Sequence, residues 1–440
     1  MTDILVEPHV DSIVMPENLK VGLMVKEQRE RCSSVGCDFD YYGLAFGQSP
    51  FHLPPPLQNA LAENANKGHY SDAEGISELR AAIASFNKRH FGLDVDASRI
   101  VVGPGTKDLI HTIFNIIKGG VIIPSPSWIG YNPQISLLEK HFHTFYLKPE
   151  YDYKIQSADL DDFLTNLTEP QHILVLNNPH NPTGLVYSRD ELTKIANVCK
   201  KHNTLILADE IYALSTYDIK DFTSMGSIYP EGTFITNGLS KDRSAGGYRL
   251  GSCILPQDCS KTLIANFKKV AATVYTNVST PTQYASITAY EPNNEIEEYF
   301  GITRQVHRIM GQYMSAEFNK VDGIKATIPN GGFYFFVDFN ELSSDLKRKG
   351  VNTSNELGQS LISCPHHLAT VTGDACLLRP DDYGARIAFV DYDGKYAFDN
   401  YKNNPPKTNS DEIEFVKQNA PMMVQSVRAL NEWVAYIKQN

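Results

Sequence analysis

The chain has 440 residues, of which 42% are hydrophobic and 21% charged, and its formal net charge is −11. This composition is ordinary for a globular protein. The acidic balance argues against a dedicated nucleic-acid binder and against a polybasic membrane-surface protein, because both need a basic face. Seven scattered cysteines, with no C-x-x-C pair, fit reduced thiols better than a disulfide framework.

The N-terminal segment MTDILVEPHVDSIVMPENLK carries acidic residues and no basic region ahead of an apolar run. It therefore resembles neither a secretory signal nor a transit peptide. No later stretch approaches the roughly 20 apolar residues that span a bilayer. We expect a cytoplasmic protein that has no membrane or nucleic-acid partner.

Short apolar runs alternate with helix-like segments from about residue 95 to 256. Continuous apolar runs of this kind are typical of a parallel sheet that is covered on both faces. A capping box, with Ser188 three residues before Glu191, predicts the start of one helix. The pattern predicts an α/β fold with a mainly parallel seven-stranded sheet covered by helices. The seven runs are RIVVG (99–103), GGVIIPSP (119–126), HTFYLK (143–148), HILVLNNP (172–179), TLILADEIY (204–212), TFITNGLS (233–240) and GSCILP (251–256).

The pattern changes after about residue 290. A long helical stretch leads into the aromatic strand GFYFFVDF, then the strand ARIAFV and one final helix near residues 410–439. These elements predict a smaller α+β domain. We therefore divide the chain into an N-terminal arm or part of the small domain (1–50), a large domain (51–292) and a small C-terminal domain (293–440).

Polar and glycine residues stand directly after several of these strands. Ligands of parallel sheets bind at the carboxyl ends of the strands, so these residues are candidates for one site. Each alone has a simpler interpretation, since glycines turn, aromatic side chains pack and Asn-Pro is a common turn. The candidates are Gly105 and Thr106 at a helix start, then Trp128, Asn181, Asp209, Tyr212 and Lys241.

Taken together, this set meets the needs of pyridoxal 5′-phosphate. Lys241 would form the Schiff base, because a desolvated lysine amine is a competent nucleophile. Asp209 would keep the pyridine nitrogen protonated. Asn181 and Tyr212 would hydrogen-bond the phenolic oxygen, and Trp128 would lie against the ring face.

The phosphate of the same cofactor would lie at a helix start. The turn at Gly105 and Thr106 presents free N–H groups there, which suits an anion, and Lys107 can add its own backbone N–H. Arg249, eight residues after the lysine, can bind phosphate in a fork geometry. The alternative is that Arg249, like Arg243, is a solvated surface charge.

Six motifs carry a family resemblance over nearly the whole chain. They are YSDAEGISELRAAIASF (70–86), NNPHNPTG (177–184), ADEIY (208–212), SKDRSAGGYRLG (240–251), PNGGFYFF (329–336) and ARIAF (385–389). In this order and spacing the sequence resembles the class I and II (fold type I) pyridoxal-phosphate aminotransferases, of the aspartate-aminotransferase-like kind. The resemblance implies ping-pong transfer of an amino group from an L-amino acid to a 2-oxo acid, with Lys241 as Schiff base and proton carrier.

The resemblance also implies roles for residues outside the strand ends. Tyr70 matches a tyrosine that reaches the phosphate of a neighbouring subunit, which implies a homodimer with shared active sites. Arg386 is similar to the arginine that binds the substrate α-carboxylate, and Gly47 to a glycine near that carboxylate. One position departs from the family, since many relatives have a phosphate-binding serine where this chain has Gly238. Ser240 matches the family but can contribute differently.

Two alternative functions stay open at this point. A pyridoxal-phosphate lyase or synthase, such as a C–S lyase or an aminocyclopropane-carboxylate-synthase-like enzyme, would share the same cofactor residues. A non-enzymatic binding protein on this fold would be expected to have a degraded site, and every ring-binding residue is present.

Substrate choice and metal binding have weaker signals. Lys107 stands at a helix start, where a cation is unfavourable without a nearby anion, so it is a candidate contact for a distal substrate carboxylate. Residues 271–290 contain no arginine that could serve instead. His141 and His143 alternate on a strand, and CPHH (364–367) contains possible ligands. Without a third and fourth ligand at suitable spacing, we interpret both as structural and expect no metal.

Overall fold

The computed structural model describes residues 5–11, 13, 17–34 and 41–439. All seven apolar runs form strands of one sheet, which confirms the predicted fold class. Strands β2 to β8 of this sheet are Ile100–Gly103, Gly120–Ser125, Phe142–Tyr146, His172–Asn177, Thr204–Asp209, Thr233–Gly238 and Gly251–Ile254.

The strand order of the large sheet is β2-β8-β7-β6-β5-β3-β4. Strands β4, β3, β5, β6 and β7 are mutually parallel, and only β8 runs antiparallel to its neighbours β7 and β2. The parallel strands therefore deliver their carboxyl ends to one edge, which is where the candidate residues were predicted to meet.

Both faces of the large sheet are buried. Ile122 and Leu174 pack into one hydrophobic cluster, whereas their chain neighbours Val121 and Ile173 pack into another on the opposite face. Successive side chains of a strand point to opposite faces, so a sheet covered on both sides needs unbroken apolar runs.

Helices cover the sheet and build the rest of the molecule. The predicted capping box is present, because Ser188 Oγ accepts from the Glu191 N–H and the Glu191 carboxylate accepts from the Ser188 N–H. Helices α1 to α16 are Pro8–Asp11, Glu17–Ser34, Pro55–Asn64, Ser77–Phe91, Thr106–Ile116, Tyr131–Leu137, Ser157–Thr165, Arg189–Lys201, Lys261–Val274, Thr280–Tyr290, Asn294–Phe318, Ser343–Arg348, Ser354–Ile362, Gly394–Asn403, Asn409–Asn419 and Pro421–Lys438.

The prediction of one final helix was wrong, because two helices, α15 and α16, meet at Ala420. Pro421 has no N–H and restricts the backbone of the preceding residue, so the first helix ends there. Pro421 then occupies the first turn of α16, where a missing N–H costs nothing.

A second, smaller sheet lies in the C-terminal part of the chain. The remaining strands are β1 Tyr42–Gly43, β9 Lys325–Ala326, β10 Tyr334–Asp338, β11 Leu368–Ala369, β12 Val371–Thr372 and β13 Gly384–Ala388. The smaller sheet is antiparallel, with the order β12-β13-β10-β9, and Arg386 of β13 pairs with Phe336 of β10 at its centre. A separate short pair joins β1 to β11 in parallel.

The expectations about cysteines and about membrane-spanning helices can be compared with the described residues. Cys199, Cys253, Cys259 and Cys364 are thiols outside any disulfide. The side chain of Cys32 and the whole of Cys37 lie outside the described part. Among the helices of the described residues, none combines the length and apolarity needed to cross a bilayer.

Candidate active site

A cavity of about 620 Å³ opens at the carboxyl ends of the parallel strands. Its volume is in the usual range for a pocket that holds a small ligand. The structure brings most of the predicted site residues together in its wall. These are Gly47, Thr106, Lys107, Trp128, Asn181, Asp209, Tyr212, Ser240, Lys241 and Arg249.

Lys241 follows β7 and points its amine into this cavity. Its Nζ donates to the carbonyl oxygen of Gly47 at 2.9 Å. The ring centroids of Tyr212 and Phe333 lie 5.7 and 5.5 Å from the same nitrogen. Aromatic faces and one carbonyl thus position the amine, and no carboxylate of the described chain is within ion-pair distance of it. The amine is therefore not held in an ion pair.

Asp209, the last residue of β6, is buried at the base of the cavity. One carboxylate oxygen accepts from the Tyr131 hydroxyl at 2.7 Å, and the other accepts from Ile211 N and Thr236 Oγ1, both at 3.4 Å. Burial raises the pKa of Asp209 in spite of these hydrogen bonds. A cationic N–H donor in the cavity would offset that burial, as a protonated pyridine nitrogen does.

Sequence reasoning missed Tyr131. It is fully buried at the start of α6, three residues after Trp128, and its ring packs edge-to-face on Trp128 at 5.0 Å. Burial raises the pKa of Tyr131 well above its ordinary value, so its hydroxyl stays a donor to Asp209. Nothing in the local sequence separates this tyrosine from a packing residue.

Asn181 and Arg386 meet behind the cavity. Asn181 donates its N–H to Asn177 Oδ1 at 2.7 Å and accepts from Arg386 Nη1 at 3.4 Å. Arg386 also donates from Nη2 to the carbonyl of Ala45 at 2.7 Å, and its guanidinium lies over the Tyr334 ring at 4.6 Å. Arg386 is 3% exposed and does not line the cavity itself.

One donor of Arg386 is unused. Its Nε is buried and has no hydrogen-bond partner among the described residues. A buried charged donor without a partner is costly, so it marks a position that a ligand acceptor can complete. A planar guanidinium with a vacant N–H suits a carboxylate.

A chain of hydroxyl groups links the cavity to the small sheet. Tyr212 donates to Tyr334 Oη at 3.2 Å, and Tyr334 donates to the carbonyl oxygen of Gly47 at 3.2 Å. A Cβ atom at Gly47 would overlap the Tyr334 hydroxyl, which explains the glycine. Sequence reasoning placed Tyr334 on an aromatic strand but did not identify it as a site residue.

The start of α5 closes another side of the cavity. Gly105 precedes the helix at φ 91°, and no side chain caps it, so the first N–H groups face outward. A Cβ atom at Gly105 would overlap the Arg249 guanidinium. Arg249 is exposed and donates to the carbonyl of Gly246 at 2.7 Å. Helix N–H groups beside an arginine form an anion site.

Lys107 adds a third cation to Lys241 and Arg249. It is an exposed residue, yet its ammonium lies along the cavity wall, 5.5 Å from the Trp128 ring centroid. Partial desolvation, and then repulsion from Arg249 and Lys241, lower the pKa of Lys107. The cavity is therefore electropositive and complementary to an anionic ligand.

Three predicted positions need a separate account. Gly238 departs from the family because a Cβ atom there would come within 2.9 Å of the Leu250 carbonyl oxygen, so the neighbouring strand leaves no space for serine. Tyr70 is 85% exposed and lies outside the cavity. The surface interpretation of Arg243 was wrong. It is 1% exposed and pairs with buried Asp242 at 2.8 Å.

Comparisons with known proteins agree with this geometry. The model of the family described as aminotransferase class I and II matches residues 40–389. The chain is 32% identical to the aspartate aminotransferase of Bacillus subtilis (strain 168), over 71% of this chain and 79% of that protein. It is 31% identical to the asparagine–oxo-acid transaminase of Streptococcus mutans, over 76% of this chain and 84% of that protein.

The fold has solved counterparts as well. The structure of aspartate aminotransferase from Thermus thermophilus with maleate superposes with a TM-score of 0.79. It covers 98% of this chain and 100% of that one at 20% identity. A second, from Thermotoga maritima, superposes with a TM-score of 0.77 at 22% identity.

Fold and site thus define a transferase of amino groups. The chain belongs to the class I and II aminotransferase family. It is a pyridoxal-phosphate-dependent aminotransferase that exchanges amino groups between L-amino acids and 2-oxo acids in a ping-pong reaction. The lyase or synthase alternative is not favoured by these relatives.

The residues present fit the cofactor. The electropositive cavity suits its phosphate, and the buried Asp209 carboxylate lacks the cationic partner that a protonated pyridine supplies. The Lys241 amine lines the same cavity as these two features.

Proposed function

We propose that Lys241 is the residue that carries the reaction, as covalent attachment point of the cofactor and as proton carrier. The observation that supports this most directly is its amine in the cavity, held by one carbonyl and facing no carboxylate of the described chain. When bound, pyridoxal phosphate supplies an aldehyde that takes up the amino group and a ring that withdraws electrons from the substrate α-carbon.

The chain's own residues would hold the cofactor as follows. Asp209 binds the pyridine nitrogen, with Tyr131 fixing the carboxylate from behind. Asn181 and Tyr212 bind the phenolic oxygen, and Trp128 covers the ring. The phosphate binds at the α5 start, with Gly105, Thr106, the Lys107 N–H, Ser240 and Arg249 as its contacts.

The substrate would be oriented by Arg386. Its unused Nε and its planar fork suit the α-carboxylate, and Gly47 leaves space beside it. The free Lys241 amine would take the proton from the substrate α-carbon and deliver it to C4′, the aldehyde carbon of the cofactor.

An acidic amino acid such as aspartate is the amino donor we propose. Lys107 lines the cavity, and no carboxylate of the described chain lies within ion-pair distance of it. A distal substrate carboxylate would relieve its repulsion with Arg249 and Lys241. A relative at 32% identity is named an aspartate aminotransferase, which supports the same choice.

A homodimer with shared sites is also part of the proposal. Tyr70 is 85% exposed, although its neighbours are fixed, since Thr280 donates to the His69 carbonyl at 2.7 Å and Gln283 to Ser71 at 2.9 Å. An aromatic side chain on an anchored backbone is suited to reach a partner's phosphate. Mixing Tyr70→Ala chains with Lys241→Ala chains should restore activity if sites are shared, and should not if each chain acts alone.

Three further assignments complete the proposal. We place domain boundaries at residues 50 and 292, so that the cavity lies between the large domain and residues 46–49 of the N-terminal arm. The protein would act in the cytoplasm, in amino-acid metabolism and in a biosynthetic role.

Borohydride reduction tests the assignment of Lys241. Reduction fixes the cofactor to the lysine that carries it, and peptide mass spectrometry then identifies that lysine. The proposal expects the label on Lys241 in the wild type and in Lys107→Ala, and no label in Lys241→Ala. A label on Lys107 would contradict it, because both amines line the same cavity.

A further inference from the structure

Three histidines and one glutamate meet at the opposite end of the large sheet from the cavity. His141 precedes β4, His143 lies in β4, Glu169 precedes β5 and His172 is the first residue of β5. These positions are at the amino ends of the parallel strands, whereas Lys241 and Asp209 stand at or beyond carboxyl ends. The sequence pattern of His141 and His143 lacked a third ligand, and folding brings Glu169 to them.

The ligand atoms of this group already converge. His141 Nδ1 and His143 Nε2 each lie 3.0 Å from the same oxygen, Glu169 Oε1. All three atoms lie within 4.8 Å of one another. A tetrahedral Zn²⁺ with bonds of about 2.0–2.2 Å places its ligand atoms about 3.3 Å apart, so small side-chain adjustments suffice.

Gly120 leaves the space that an ion needs. A Cβ atom at this position would lie 3.1 Å from Glu169 Oε1 and 3.2 Å from His143 Nε2. Gly120 is the first residue of β3, the strand between β4 and β5 in the sheet. Any side chain here would press on the point where the three ligand atoms meet.

His172 supports the carboxylate from behind. Its Nε2 lies 3.1 Å from Glu169 Oε2, the oxygen that the other two histidines do not use. His172 is 3% exposed, which fixes its orientation, whereas His141 is exposed and leaves the site open to solvent. Carboxylate ligands of metal ions commonly have such an outer hydrogen-bond partner.

We propose that His141, His143 and Glu169 bind a divalent transition-metal ion, with Zn²⁺ as the best match and water in the remaining position. Two imidazoles and one carboxylate are ligands that zinc accepts, whereas Mg²⁺ prefers oxygen ligands. On binding, the two ring nitrogens present lone pairs to the ion, and the protons they carried move to the other ring nitrogen or to solvent.

The ion would have a structural role. It would join the edge strand β4 to the chain entering β5, across the start of β3. Since it lies at the end of the sheet opposite the cavity, the proposal is independent of the transaminase assignment. Edge strands have one unpaired side, and a metal clip at the start of β4 would oppose its local opening.

Zinc titration of the cofactor-loaded protein tests this proposal. Calorimetry should show one Zn²⁺ per chain bound to the wild type that His141→Ala/His143→Ala does not bind. Glu169→Gln should weaken binding, and His172→Gln should weaken it by about 10- to 100-fold, as for other outer partners of metal ligands. Zinc X-ray absorption should show nitrogen ligands from imidazole, and Mg²⁺ should give no binding.

His202→Gln is the matched control. His202 Nε2 also contacts a carboxylate, Asp161, at 2.6 Å, but no second histidine joins that pair. The control should keep the wild-type zinc stoichiometry and affinity. Equal zinc uptake by the double variant and the wild type, or no uptake by the wild type, would overturn the proposal. Circular dichroism of each folded variant separates loss of ligands from loss of fold.

Discussion

The two ends of the seven-stranded sheet differ in the charges of the side chains that they bring together. At the carboxyl ends, the cations Lys107, Lys241 and Arg249 share one cavity, and repulsion among them contributes to the lowered pKa of Lys107. At the amino ends, three imidazoles surround the single carboxylate of Glu169. The first arrangement is complementary to an anion and the second to a cation, so one sheet presents two chemically distinct sites.

This difference shows how a parallel sheet separates functions. Near the carboxyl ends, the Lys241 amine has a carbonyl partner but no carboxylate within ion-pair distance, and Arg386 Nε has no hydrogen-bond partner among the described residues, so both can bind a ligand. At the amino ends, in the strands and just before them, the side chains already bond one another. Substitutions at the carboxyl ends should therefore affect chemistry, and substitutions at the amino ends should not.

The largest expected effect is that of Lys241→Ala. Loss of the amine removes the proton carrier, and general acid–base groups contribute about 10²- to 10⁴-fold to rate. We expect kcat for transamination to fall about 10²- to 10⁴-fold, measured by steady-state kinetics with cofactor present. Lys194→Ala, on the exposed face of α8, serves as control and should keep wild-type kcat. Unchanged kcat in Lys241→Ala would show that the cavity at the carboxyl ends is not the active site.

Arg386→Lys should have the next largest effect. Lysine keeps the charge but loses the planar fork and the unused Nε–H. Hydrogen bonds to charged groups contribute about 1.5–3 kcal/mol, so we expect kcat/KM to fall about 10- to 100-fold for every amino acid donor. An equal loss across donors is expected because all share the α-carboxylate. A loss confined to one donor would contradict this role.

Lys107→Ala tests whether the Lys107 ammonium contacts a distal carboxylate of the substrate or only the cofactor. If its ammonium contacts a distal carboxylate, KM for aspartate or glutamate should rise about tenfold, while KM for alanine stays unchanged. The measurement is a set of steady-state titrations with each donor at a fixed 2-oxo acid concentration. Equal changes in KM for alanine and aspartate would contradict the proposal of an acidic substrate. Lys107 would then contact the cofactor only.

Glu210→Gln should give the smallest effect, seen in stability. Glu210 is 2% exposed behind Asp209, and its Oε1 accepts from Ser224 Oγ and Met225 N, both at 2.9 Å. Burial raises the pKa of Glu210 from 4.5 to about 8. The stability contribution of its protonated form is thus fully present below pH 4.5 and is lost as pH rises through about 8.

Glutamine at this position does not titrate. The Tm of Glu210→Gln relative to wild type should therefore increase by a few degrees between pH 5 and pH 8, measured by calorimetry of the cofactor-loaded protein. A constant Tm difference over that range would show that Glu210 is ionised in the folded protein throughout. The hydrogen bonds from Ser224 and Met225 would then outweigh its burial.

Particular residues show what sequence alone predicts here. The seven strands were found because parallel strands buried on both faces need unbroken apolar runs. The residues of the cavity wall could be predicted as well, since Asn181, Asp209 and Lys241 stand at or just beyond the carboxyl ends of the strands. Tyr131 and Tyr334 were missed because their roles depend on distant partners, Asp209 and Gly47, which only the folded chain brings near.

The same limit applies to the other end of the sheet. His141 and His143 were recognised as a pair, but Glu169 lies 26 residues after His143 and joins them only through strand pairing. Gly238 is a related case, because a side chain there would meet the carbonyl of Leu250, the residue just before the neighbouring strand β8. The spacing of residues along the chain does not predict such contacts.

The absorption spectrum of the cofactor-loaded protein, recorded during addition of single L-amino acids, tests the central claim most directly. The account predicts a visible band of lysine-bound cofactor that is replaced by a near-ultraviolet band on addition of L-aspartate. One equivalent of 2-oxo acid should form per site, without ammonia. If no visible band forms even with added pyridoxal phosphate, or if ammonia is released instead, the assignment of Lys241 to amino transfer is contradicted.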